Sequence, residues 1–275
     1  MLRLRQQEMN PRARHGGRAA MLALLLGMTL LLSGCAGDLS ATYNKAIAKF
    51  ASADYAAAAD AFDQLGNYQQ AATYAAYARG LVYYEQGNYA AAEPYFEKTQ
   101  DFMYGKQRYT YCHADGLQAS AAFDQAAEAF ASLGEFEDAP VRAAYCKGRN
   151  AEDAKDYETA LFAYSDAGAY ADAADRLSNL QSQVYDHARE LKAAGSYDQA
   201  LDWFGLLGDY FDAQAQAKQC KDYYRDQLYD QADALAAQGQ AQQAYNLFSG
   251  LGTYRDAAAR ADELATQLGL NPQAE

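Results

Sequence analysis

One spacing governs this chain more than any other feature of its sequence. Large aromatics stand at Phe62, Phe96, Phe130, Tyr164, Phe204 and Phe248, separated by 34, 34, 34, 40 and 44 residues. Seven residues before each stand Tyr55, Tyr89, Phe123, Tyr157, Tyr197 and then Ala241. Between them Ala58, Ala92, Ala126, Ala160, Ala200 and Ala244 hold one fixed place. Offsets of 0, 3 and 7 lie on a single helical face, so each motif predicts a short amphipathic helix, helix B of a repeating unit. A period of this length is the mark of stacked helical repeats, each unable to bury its apolar face alone.

A second signal follows the second aromatic. It reads Leu65-Gly66-x-Tyr68, Leu133-Gly134-x-Phe136, Leu207-Gly208-x-Tyr210 and Leu251-Gly252-x-Tyr254, with Ala167-Gly168-x-Tyr170 as a variant and Thr99-Gln100-x-Phe102 as the departure. Glycine suits the left-handed residue that closes a helix. Two residues past each aromatic stands Gln70, Asp138, Asp172, Asp212 or Asp256, and Asn67, Asp209 or Thr253 lies three residues earlier. That pattern predicts a capping box opening a longer helix A. Asp138–Arg142, Asp172–Arg176 and Asp256–Arg260 are then i,i+4 ion pairs, each contributing a few tenths of a kcal/mol. In the second unit these signals predict helix A over about 68–86 and helix B over about 89–99. Gly87, Gly195 and Gly239 mark the intervening turn, with Asn88, Asp156 and Ser196 as N-caps. The six and ten extra residues of the later units fall inside helix A and lengthen it by about two and three turns. Ala-rich composition favours helix throughout.

The period resembles the tetratricopeptide repeat. Gly87, Tyr89, Ala92 and Phe96 fit that family's signature from the turn through helix B, and Gly80, Ala114 and Gly148 fit its small helix A position. The resemblance covers about residues 40–265; the family's Pro after helix B and its large apolar residues early in helix A are missing. It implies an all-α fold, a right-handed α-solenoid of about six helix-turn-helix repeats over residues 42–268, with a C-terminal tail over 269–275. It also implies a concave groove lined mainly by helix A. Tyr77, Tyr111 and Tyr145 would face that groove, beside a row formed by Tyr74, Arg108, Arg142 and Arg176. A ladder of Tyr beside a ladder of Arg suits an extended peptide, because Tyr gives contact area at low entropy cost and Arg pairs with carboxylates. The alternative is that the Tyr row packs between helices and the Arg row pairs with Asp138 and Asp172.

The first 34 residues read differently. Five Arg (Arg3, Arg5, Arg12, Arg14, Arg18) precede an apolar run of 12 residues from Met21 to Leu32. That run is too short to span a bilayer and fits the core of a signal peptide. Leu32-Ser33-Gly34-Cys35 resembles a bacterial lipobox, which implies cleavage before Cys35, lipid attachment to Cys35 and a short tether over residues 35–41. Without the leader the chain carries 18 basic and 35 acidic residues, a formal charge of −17 against −13 for the whole. Such a surface repels nucleic acid and favours basic partners. The resemblance further implies an extracytoplasmic position on a bacterial membrane, the outer one in a two-membrane host because Ala36 rather than Asp follows the lipid Cys.

Catalytic and metal-binding patterns are missing. His113 and His187 stand far apart, and no zinc-protease, Walker-type or nucleophile-elbow element occurs. Cys112, Cys146 and Cys220 each lie 16 residues after a core Phe, at a place that Ala78, Leu180 and Leu264 fill elsewhere, and so read as buried free thiols. Trp203, beside Phe204, reads as core. The expectation is a lipid-anchored scaffold that binds a protein or peptide, with no enzymatic activity, cofactor or metal. A small-molecule or glycan-binding lipoprotein and an architectural spacer are the alternatives.

Overall fold

The computed structural model describes residues 36–270. The basic leader, the apolar run, Cys35 and residues 271–275 lie outside the described residues. Among the described residues the chain is entirely helical, with thirteen α-helices and no strand. No described helix is long and apolar enough to cross a membrane. The first helix, α1, runs Ala36–Ala51, so residues 36–41, expected as a tether, are helical.

Helices then alternate short and long. The short ones are α2 (Tyr55–Asp63), α4 (Tyr89–Glu97), α6 (Phe123–Ala131), α8 (Tyr157–Ala167), α10 (Tyr197–Gly205) and α12 (Ala241–Leu251). The long ones are α3 (Ala71–Glu85), α5 (Gly105–Ala119), α7 (Ala139–Asp153), α9 (Ala173–Ala193), α11 (Ala213–Ala237) and α13 (Ala257–Leu268). Three of the long helices, α3, α5 and α7, have 15 residues, whereas α9 has 21 and α11 has 25. The extra residues of the later repeats therefore do extend helix A. The chain divides into two compact units after Lys147, inside α7. Within each unit, consecutive helices pack in sequence order, from α1 to α6 in the first and from α8 to α13 in the second, the construction of an α-solenoid of helical repeats.

The repeat signature is the core. Phe62, Phe96, Phe130, Tyr164, Phe204 and Phe248 are all buried, as are the six alanines between the aromatics. Each buried ring contributes about 1.5–3 kcal/mol through water removed from its surface. Helix A meets helix B closely at Gly80 and Gly148. A Cβ on Gly80 would sit 2.8 Å from the Phe96 ring, and one on Gly148 2.7 Å from the Tyr164 ring. Cys112, Cys146 and Cys220 are buried, and none forms a disulfide.

Helix A starts about three residues later than expected, and the capping box does not form. The turn into helix A instead satisfies its donors through the main chain: the N–H of Ala213 donates to the Tyr210 carbonyl at 3.0 Å, and that of Ala139 to Phe136 at 3.0 Å. Each such turn holds a left-handed residue that is never glycine just before helix A, for example Glu137 (φ 50°) and Phe211 (φ 45°). Helix B is capped as expected at Asn88 and Asp156, whose side chains accept from the N–H of Ala91 and Thr159. Ser196 occupies the same place without a side-chain cap bond.

Candidate functional site

The helix A rows interlock neighbouring repeats. The Tyr77 hydroxyl accepts from Arg108 Nη1 at 2.7 Å and from the Tyr104 N–H at 3.3 Å. One repeat later the Tyr111 hydroxyl donates to Asp138 at 2.5 Å and accepts from Arg142 Nη1 at 3.0 Å. The same Tyr-to-Asp bond, 27 residues apart, joins Tyr185 to Asp212 and Tyr229 to Asp256, each at 2.5 Å. Burial pushes the Tyr111 hydroxyl far up, with its bond to the Asp138 carboxylate acting in the same direction.

Much of the expected Tyr and Arg rows packs between helices. Tyr77, Tyr111, Tyr145 and Arg142 are buried, the last with only 5% of its surface exposed, so as they stand none of the four offers a surface to a partner. Tyr74, half-buried, stacks on Phe62 at 4.8 Å and meets Phe102 edge-on at 4.8 Å. Of the three expected i,i+4 ion pairs, Asp172–Arg176 forms, at 2.9 Å. Arg142 reaches back instead to Asp115, and Arg260 to Asp233 at 2.7 Å. Arg176, half-buried, also pairs with Glu152 at 2.9 Å.

Arg108 differs from its row. Arg142 has Asp115 and Gln118 on the preceding long helix, whereas the equivalent places for Arg108 are Leu81 and Tyr84. Arg108 makes no ion pair among the described residues. Its guanidinium lies 5.7, 5.5 and 5.7 Å from the rings of Tyr77, Tyr84 and Tyr104, and its Nε has no hydrogen-bond partner. Cation–π attraction takes the place of the missing carboxylate.

Compared with known proteins, the chain matches no family model and no curated sequence. In the second unit, α9 carries two open clefts that share Gln183. The larger, about 520 Å³, is lined by Glu152, Asp172, Asp175, Arg176 and Asp186 among others. The smaller, about 310 Å³, is walled by Tyr157, His187 and Trp203 over Leu180 and Val184. Trp203, expected in the core, is half-buried here, with its ring 4.5 Å from His187 and 5.6 Å from Tyr157. No group of three or more His, Cys, Asp or Glu able to hold a metal occurs among the described residues.

Large apolar side chains also stand in water. Tyr104 is 58% exposed, Phe162 65% and Phe211 80%. Phe211 occupies the left-handed turn position, where a bulky residue is disfavoured and Gln69 or Glu137 stands in other repeats. The repeat register marks only the inward face, so these exposures have no counterpart in it.

Proposed function

We propose that this chain is a lipid-anchored, extracytoplasmic scaffold of the tetratricopeptide-repeat kind, which binds a protein partner through the outer surface of its helical array. The observation that carries this reading is the set of exposed aromatics at the turns, above all Phe211. That side chain is disfavoured by its own backbone conformation, and most of its surface lies in water. Isolated exposed apolar residues are ordinary. An aromatic at a position that prefers other residues is better explained by a contact made outside the fold. The basic leader and the lipobox at Leu32–Cys35 support a membrane tether. The acidic surface keeps such a domain soluble beside anionic lipid.

The test is photo-crosslinking in living cells, with a benzophenone amino acid in place of Phe211 or Tyr104 and, as controls, of exposed Glu97 and Glu158. A discrete protein adduct at the turn positions alone, whose purified partner loses affinity for the Phe211→Ser chain, is the expected result. Equal labelling at all four positions, or none, points instead to an architectural spacer.

A further inference from the structure

We propose that the exposed face of α9 is a recognition groove for an extended, Lys- or Arg-bearing segment of a partner protein; this rests on the scaffold reading above and names the chemistry of what is bound. Two independent features of the same helix point to it. The first is the aromatic cleft, where Trp203, Tyr157 and His187 surround a space of about 310 Å³ open to solvent. Aromatic faces attract cations, and the stem of a Lys or Arg side chain packs on such rings while its head stays in polar surroundings.

The second is the charge of the adjoining cleft. Glu152, Asp172, Asp175 and Asp186 line it against a single cation, Arg176. Arg176 is engaged by Glu152 and Asp172, each at 2.9 Å. Asp175 makes no ion pair among the described residues, and Asp186 has only an exposed contact to Arg189 at 3.8 Å. The groove thus keeps an excess of negative charge, with acids at its N-terminal end beside Asp175 and further along at Asp186, in a chain whose net charge is −13. Anionic ligands are repelled and a basic segment is steered in.

Geometry sets the length of that segment. Residues 172–187 of α9 and its cap extend over roughly 22 Å at about 1.5 Å per residue. About seven residues of extended chain cover that distance at roughly 3.3 Å each. A basic side chain at one end would lie over Trp203 beside Asp186, and a second, about four to six residues away, beside Asp175.

The chain has one tryptophan, so fluorescence reports this groove directly. The experiment titrates the full chain in detergent micelles with an eight-residue Gly/Ser peptide, blocked at both ends, carrying Arg at positions two and seven. The expected result is a saturable change in Trp203 emission. It should weaken at least tenfold when citrulline replaces both Arg, and again in the Asp175→Asn/Asp186→Asn chain, with affinity falling as salt is raised. No saturable change, or equal affinity for the double variant, overturns the proposal. So does a saturable response to N,N′-diacetylchitobiose with none to the peptide, which assigns the cleft to a glycan. Failure here alongside a discrete adduct at Phe211 leaves the scaffold reading intact and removes only this groove. Failure of both removes the two together.

Discussion

Tyr111 shows how a single hydroxyl can be committed to holding repeats together. It donates to Asp138 and accepts from Arg142, a guanidinium with 5% of its surface exposed. Arg142 also donates from Nε to Gln118 at 3.2 Å and pairs with Asp115. Removing the hydroxyl withdraws one partner from a buried cation, and a hydrogen bond to a charged group is worth about 1.5–3 kcal/mol. Tyr111→Phe is therefore expected to destabilise the fold by about that amount in urea unfolding. Tyr185→Phe breaks the same bond to Asp212 where it is exposed and no guanidinium donates to the hydroxyl, so its loss should be much smaller. Equal losses would mean that the guanidinium adds nothing to the network. The Tyr row was legible in the sequence, and so was the Asp row. Their pairing was not, because it links residues 27 apart in different helices. Asp212 and Asp256 looked like local cap residues. The main chain already serves the first donors of those helices, leaving their carboxylates free for a neighbour's hydroxyl, which holds both acids below the usual carboxylate range.

At the scale of the element, the glycines of helix A separate packing from propensity. Gly80 lies where a Cβ would press on the Phe96 ring, while Gly116 of α5 has open space around its Cβ position. Overpacking costs about 1–3 kcal/mol, against about 1 kcal/mol gained when Ala replaces Gly in a helix. Gly80→Ala should thus lower stability by up to about 2 kcal/mol and Gly116→Ala raise it by about 1 kcal/mol. The two signs are read from urea midpoints, and a shared sign would show that ring contact does not decide the cost. Gly105 explains the one irregular repeat. Where the other turns have Leu-Gly or Ala-Gly, this one has Thr99-Gln100, and a Cβ on residue 105 would fall 1.8 Å from the Thr99 carbonyl oxygen. Ala71, Ala139, Ala173, Ala213 and Ala257 fill that place elsewhere. The glycine lost at position 100 is matched by one gained at 105. The sequence displayed both departures, but only the approach of the turn to the helix connects them. Helix lengths, by contrast, followed directly from repeat spacing, since inserted residues between two fixed signals had nowhere else to go.

Across the whole chain, three thiols at one repeat position offer a readout of each unit's opening. Cys112 lies in the first unit and Cys220 in the second, both buried. Burial pushes the Cys112 thiol from 9.0 up to about 12, with the Glu93, Asp115 and Glu137 carboxylates adding to it, and burial raises Cys220 as well. The thiolate is the reactive form, so both should resist maleimide at pH 8 until their own unit opens. The same shift sets a sign for stability against pH. A group whose folded pKa is raised contributes fully below its unfolded value and loses that contribution as pH climbs through the folded one. For Cys112 that window runs from pH 9.0 to about 12. Ala already fills the equivalent site at Ala78, so Cys112→Ala keeps the packing type while removing the titration. The drop in urea midpoint between pH 8 and pH 11 should then be smaller in the variant than in the parent. An identical drop would assign the alkaline limb to the many buried tyrosines, such as Tyr84 and Tyr111, whose hydroxyls burial also raises. The labelling arm decides the remaining point: because stacked repeats couple mainly to their neighbours, Cys112 and Cys220 should become reactive at different urea concentrations if the two units open separately, and together if one transition spans the chain.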